Sequence, residues 1–224
     1  DMSESTGATL PPFQRDTTNI YLVTSRDGVH IDTEWVYARQ PLIPKGAQQA
    51  DWNSGFVLAA NEVVASPDRS ESRVYYEARQ LRHEDRFAQA GVIGMASWRL
   101  DTLVGLRAAD VSAGPAVVMT KVFRITSERI SVLLNVDTTM RADCGAGSVL
   151  VELFDEARNP IAGASSAAAV PIVNSIGTQV QVLWKRQGDP QPEPSFRIVS
   201  GQLLRLRFTI SGSARLYAFL VQSV

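Results

Sequence analysis

Gly91-Val-Ile-Gly-Met-Ala-Ser-Trp98, followed by Arg99-Leu-Asp101 and Thr102-Leu-Val-Gly-Leu106, is the stretch at which the chain divides. Ile93, Met95 and Ser97 alternate with Gly94, Ala96 and Trp98. That is the two-residue period of a strand, and the small residues let it lie tightly against its neighbours. Arg99 and Asp101 supply the only charges between Gly91 and Leu106. They are expected to separate one buried strand from the next, so the stretch reads as a hinge between two β modules.

Working back from the hinge, residues 1–15 combine Ser, Thr, Gly and the Pro11-Pro12 pair without periodicity and read as a flexible tail. Ile20 to Thr24 is a compact β-forming run, Ser25-Arg-Asp-Gly28 a turn, and Val29 to Ile31 a return strand, so a hairpin is expected. Pro41, Pro44 and Gly46 mark a loop before Phe56-Val-Leu-Ala-Ala60. Ser66-Pro-Asp-Arg69 turns that strand into Arg73-Val-Tyr-Tyr-Glu77, and the hinge strand completes an antiparallel meander. Forward from the hinge the β pattern is more regular. Runs at Val117 to Phe123, Ile130 to Val136, Gly147 to Phe154 and Gln179 to Trp184 precede the clearest strand, in which Leu204, Leu206, Phe208 and Ile210 alternate with Arg205, Arg207 and Thr209. Arg215 to Val221 is apolar on both faces, which suits a central strand. Short strands, turn residues between them and no amphipathic helix of useful length indicate an all-β chain, with an antiparallel β-sandwich over 101–224.

The 224 residues suffice for two modest domains or one large β domain, and 45% hydrophobic against 20% charged residues argues against wholesale disorder. A net charge of −1 and a pI near 6.2 give no general attraction to phosphate backbones or anionic membranes. Neither nucleic acid nor membrane is expected as a partner. No apolar run approaches the roughly 20 residues that cross a bilayer, and no secretory signal opens the chain. The compartment is left open. The single cysteine, Cys144, sits in the turn-like Asp143-Cys-Gly-Ala-Gly147 with no His nearby, and reads as a rim thiol.

Several segments, in order, resemble the C-terminal part of the five-bladed β-propeller glycoside hydrolases, the furanosidase type that includes invertase-like and arabinanase-like enzymes. They are Thr24-Ser-Arg-Asp-Gly-Val-His30, Pro41-Leu-Ile-Pro-Lys-Gly46, Trp52-Asn-Ser-Gly55, Tyr75-Tyr76 and Gly91-Val-Ile-Gly-Met-Ala with Arg99-Leu-Asp101. Trp184, Gly201-Gln-Leu-Leu-Arg-Leu-Arg-Phe208 and Ala214-Arg-Leu-Tyr-Ala-Phe219 extend the likeness into the sandwich. The resemblance implies that residues 16–100 are the last blade or blades of a propeller and 101–224 the β-sandwich that follows it. A blade is a four-stranded sheet, so residues 20–98 cannot close a ring. The chain is then expected to be the C-terminal segment of a longer polypeptide or to be completed by a second chain, the missing blades being its partner.

The resemblance further implies a carbohydrate ligand and paired carboxylates on the inner strands of other blades, one ionised while the other is protonated. No catalytic residue, metal or cofactor is therefore assigned within this chain. Substrate-binding candidates are Asp51, Trp52 and Asn53, just before the innermost strand; Glu77, which stands where similar proteins have glycine; and His83, in a loop that in such propellers carries a histidine near the axis. Asn53 replaces an acid of the family pattern. The plainer alternatives are a turn-forming Asp51 and Asn53, an exposed Glu77 beside Arg79, and a solvated His83. Trp52 is the best placed of four tryptophans to stack on a sugar face, while Trp98 and Trp184 suit the core. A glycoside hydrolase-like protein, a non-catalytic carbohydrate-binding module and a purely structural subunit all remain compatible with these residues.

Overall fold

The computed structural model describes residues 16–82, 90–141, 145–185, 188 and 191–224. The chain is all-β, built from several antiparallel sheets, and divides into two compact units, 1–100 and 101–224. The division falls beside Asp101, whose φ of 55° places it in the left-handed region that Asp tolerates better than most side chains.

In the first unit, β1 (Thr24–Ser25) and β2 (Ile31–Asp32) form the expected hairpin, although far shorter than the run from Ile20 suggested. Ile20 is diverted because its backbone exchanges hydrogen bonds with Ile43 and Leu42. Asp27 holds the tip, accepting from the N–H groups of Val29 and His30 at 2.9 and 2.8 Å. A four-residue helix, α1 (Glu34–Tyr37), follows. The rest is a three-stranded meander of β3 (Phe56–Ala65), β4 (Glu71–Arg79) and β5 (Val92–Arg99), with β4 in the middle and a bulge in β3 between Ala59 and Val63.

The two faces of this sheet differ sharply. On one, Val57, Val74, Tyr76 and Ala78 pack with Ile43 from the preceding loop, and Ile20, Leu42, Ala59, Ala96 and Trp98 close around them. On the other, Leu58 is 56%, Tyr75 41%, Ile93 80% and Met95 48% exposed. The alternation expected in the hinge strand is therefore real: Gly94, Ala96 and Trp98 lie on the covered side, and Ile93, Met95 and Ser97 on the bare one.

The second unit holds β6 (Ala116–Met119), β7 (Phe123–Arg124), β8 (Arg129–Asp137), β9 (Ser148–Asp155), β10 (Ile172–Val173), β11 (Ile176–Gln181), β12 (Trp184–Lys185), β13 (Pro192–Glu193), β14 (Phe196–Arg197), β15 (Leu203–Ser211) and β16 (Arg215–Ser223). One sheet centres on β15, paired along its length with β9 and on its other side with β6 and β7, while β10 borders β9. The other centres on β8, with β11 and β14 on one side and β16 on the other. β12 and β13 form a separate two-stranded ribbon.

The strict alternation of β15 puts Leu204, Leu206, Phe208 and Ile210 into one core with Val149, Val151 and Leu153 of β9 and Ile130, Val132, Leu134 and Val136 of β8. Each such side chain contributes about 1.5–3 kcal/mol relative to leaving it in water. The Ala-Ser run behaves as its small size requires: Ala164 and Ala169 are buried in this core, and Leu153 donates to the Ala164 carbonyl.

β16 departs from expectation. Apolar on both faces, it suited a central strand, yet β8 is the only strand it pairs with among the described residues; beyond that pairing it carries an isolated bridge from Leu216 to Leu106, and Phe219 and Leu220 are exposed. Phe219 also meets Phe208, with ring centroids 5.1 Å apart. Near the end of β8, Asp137 is buried, and that burial alone would raise its carboxyl pKa. The hydrogen bonds from Thr139 and Arg141 outweigh it and hold the carboxyl below its ordinary value of 3.8.

Truncating the central core residue, Leu206→Ala, should cost about 2–5 kcal/mol in chemical denaturation; a loss under about 1 kcal/mol would contradict its place in the core. A group whose folded pKa is depressed stabilises above its unfolded pKa and loses that contribution as pH falls through the folded one. Asp137→Asn should therefore lower the denaturation midpoint at pH 7, with the gap to the parent closing as pH falls below 3.8. A gap independent of pH would refute the ionic contribution.

Candidate functional site

The sequence candidates gather at one end of the first unit's sheet, where β3 begins, β4 ends and β5 begins. The loop from Gly46 to Gly55 is tied to this end by backbone and side-chain bonds. Gly55 donates to the Arg79 carbonyl at 3.1 Å, Gln80 Nε2 to the Gln49 carbonyl at 2.9 Å, and Ser54 Oγ to the same carbonyl at 3.0 Å. Gly55 must be glycine, since a Cβ there would lie 2.1 Å from the Leu81 carbonyl oxygen.

Asp51 and Asn53 maintain the loop itself. Asp51 Oδ2 accepts from the Gln48 N–H at 2.9 Å, reaching back three residues, while the Asp51 N–H donates to the Gln48 carbonyl at 3.0 Å. The Asn53 carbonyl accepts from Gly46 at 3.1 Å, and both side chains crowd the position where a Cβ on Gly46 would stand. Trp52, between them, is 46% exposed and lies on the covered face of the sheet. Its ring stacks on Tyr76 with centroids 6.1 Å apart and an interplanar angle of 26°. Gly94 makes the stack possible: a Cβ there would fall 2.6 Å from Tyr76 Cζ and 2.8 Å from Trp52 Cη2.

Glu77 belongs to the opposite face. The register sets it between Leu58 of β3 and Ile93 of β5, and its carboxylate pairs with Arg79 two residues along the same strand. Around it is an open hollow of about 550 Å³, with Leu58, Tyr75, Arg79, Gly91 and Ile93 among its walls. Gly91 leaves room for the acid, because a Cβ there would lie within contact distance of Glu77 Oε1. The structure thus brings Asp51, Trp52, Asn53 and Glu77 to one end of the sheet but on two faces, so Trp52 and Glu77 do not share a pocket. His83 lies outside the described residues, as does Cys144.

The sequence reading missed Leu58 and Ile93 as walls of the hollow. The signal was available in the two-residue period: once Glu77 is taken as a ligand group, the same-face neighbours across β4 follow from register. Along β4, Arg73 pairs with Glu71 at 3.0 Å and Arg79 with Glu77. Among the described residues there is no group of three or more His, Cys, Asp or Glu able to hold a metal ion, and no helix is long and apolar enough to cross a membrane.

Chemically, the hollow offers one carboxylate, one guanidinium and one phenol on an apolar floor. That set can accept and donate hydrogen bonds to hydroxyl groups. Among the described residues it holds a single carboxylate, whereas glycoside hydrolysis by the usual route uses two. Comparison with known protein families, with curated proteins and with solved structures finds no match to this chain.

Gly94→Ala should displace Trp52 from Tyr76, red-shift the tryptophan emission and cost about 1–3 kcal/mol by overpacking. An unchanged spectrum together with unchanged stability would contradict the stack.

Proposed function

We propose that this chain is the C-terminal segment of a glycoside hydrolase-like protein that acts on or binds carbohydrate. In this reading the β3–β5 sheet belongs to the last blade region of a five-bladed β-propeller, and residues 101–224 form the β-sandwich that follows it in sequence. The observation that carries the reading is the one-sided sheet of the first unit. Three strands with one covered face and one bare apolar face are what an incomplete radial β structure leaves when its neighbouring sheets are elsewhere.

The candidate residues support it by position. The loop bearing Asp51, Trp52 and Asn53 and the strand end bearing Glu77 meet at the same end of the sheet, the place from which blades present loops to a common funnel. In this reading the principal catalytic acids belong to other blades, and this segment contributes binding groups. Trp52 offers an indole face to a sugar, and Glu77, held by Arg79, offers acceptor oxygens to hydroxyls.

A second reading, a non-catalytic carbohydrate-binding or assembly module with a degenerate propeller, is favoured by Asn53 standing where the family pattern has an acid. The complete polypeptide should bind glycans on an array, with Trp52→Ala and Glu77→Gln each weakening binding at least about tenfold, the loss of roughly 1.4 kcal/mol. Binding unchanged in both variants would refute the site, and carboxylates absent from the inner strands of the upstream blades would favour the second reading.

A further inference from the structure

In the second unit, a hollow of about 240 Å³ opens beside the β12–β13 ribbon, lined by Ala162, Gly163, Trp184, Glu193, Ser195, Phe196 and Arg197. Its floor is rigid. Trp184 is 2% exposed and its Nε1 donates to the Val151 carbonyl at 3.2 Å, while Phe196 meets the indole edge-on with centroids 5.9 Å apart. Gln181 Nε2 donates to the Pro194 carbonyl at 2.9 Å and to the Val132 carbonyl at 3.1 Å, fastening the chain just before β14 to β8. Gly163, at φ 82°, brings bare backbone toward the Phe196 ring, where a Cβ would already be in contact.

The charge arrangement on the rim is unusual. Arg197 stands directly opposite Arg129 in the β14–β8 pairing, and like charges in that relation destabilise a sheet. Arg129 is partly satisfied, donating to Ser195 Oγ at 2.7 Å and lying 3.6 Å from Glu193 Oε2. Arg197 is exposed, and its guanidinium has no ion-pair or hydrogen-bond partner among the described residues. Two arginines thus stand at directly opposed positions, Arg129 with a carboxylate nearby and Arg197 beside an aromatic wall.

We propose that this hollow binds a carboxylated pyranose, a hexuronate unit. The size suits one sugar ring. Phe196 and the Gly163 backbone accommodate the ring's C–H face, Glu193 and Ser195 reach hydroxyls, and Arg197 takes the carboxylate in a charge-assisted fork, relieving its opposition to Arg129. The proposal rests on the carbohydrate reading but concerns a different site, so the two fail separately.

The test is ¹⁵N NMR titration of the full chain with glucuronate and galacturonate, beside glucose, galactose and acetate. The expected result is saturable shifts confined to Gly163 and to 193–197, with affinity for a uronate at least about tenfold above that for the neutral sugars and acetate, and at least about tenfold lower in Arg197→Gln with an otherwise unchanged spectrum. Phe196→Leu, which keeps an apolar side chain, should lower uronate affinity and leave the weak response to acetate unaltered. Uronate shifts elsewhere in the chain, no shifts at all, or affinity unaffected by Arg197→Gln would overturn the site. Neutral sugars binding as tightly would overturn the acidic class, and acetate binding as tightly would reduce it to a bare anion site. Glycan binding that responds to Trp52 and Glu77 but not to Arg197 would leave the first unit's site standing without this one.

Discussion

The central strand of the first unit, β4, is asked to serve two faces and is covered on only one. Ser72, Val74, Tyr76 and Ala78 are buried by the loop that precedes β3 and by the small residues of β5, while Tyr75, Glu77 and their cross-strand neighbours Leu58, Ile93 and Met95 are left to solvent. A sheet gains most of its stability from what packs on it, and an uncovered apolar face this extended is uncommon on a self-sufficient protein surface. Every functional reading of the first unit follows from that asymmetry. The bare side leaves an apolar surface open to solvent, and its polar end, at Glu77 and Arg79, supplies hydrogen-bonding groups. The covered side fixes the loop that carries Trp52.

The second unit is constrained differently. β8, β9 and β15 each send their inward residues to the same core, in which nineteen of the described side chains, Trp184 among them, are buried. A core of that extent stabilises the unit without help from bound groups, so its surface can carry features that weaken the sheet locally. The opposed Arg129 and Arg197 are one such feature, and the apolar outer residues of β16 are another. Both lie where the core no longer dictates the residue, which is where binding groups are usually found.

Much of the fold was legible because a strand's alternation needs only its own residues. β15 announced itself through four apolar positions separated by Arg205, Arg207 and Thr209, and the hinge strand through glycine and alanine set against Ile93 and Met95. What the sequence could not show was which strand lies beside which. β16 is apolar on both sides and was placed in the centre of a sheet; only its pairing reveals β8 as its one partner strand among the described residues. The site was half legible for the same reason. The resemblance singled out Asp51, Trp52, Asn53 and Glu77, which lie at one end of the sheet, but the face on which each lies depends on a parity of one residue in β4, and that parity separates Trp52 with Tyr76 from Glu77 with Leu58 and Ile93. The second hollow was invisible, because Gly163, Trp184 and Phe196 meet only through long-range packing.

The one-sided burial of β4 is most directly tested on Tyr75 and Tyr76, adjacent residues of identical intrinsic reactivity that point to opposite faces, 41% and 9% exposed. Hydroxyl-radical footprinting of this chain should oxidise Tyr75 several times faster than Tyr76. Equal protection of the two would mean that both faces are covered, and the open sheet, with the carbohydrate reading built upon it, would be wrong.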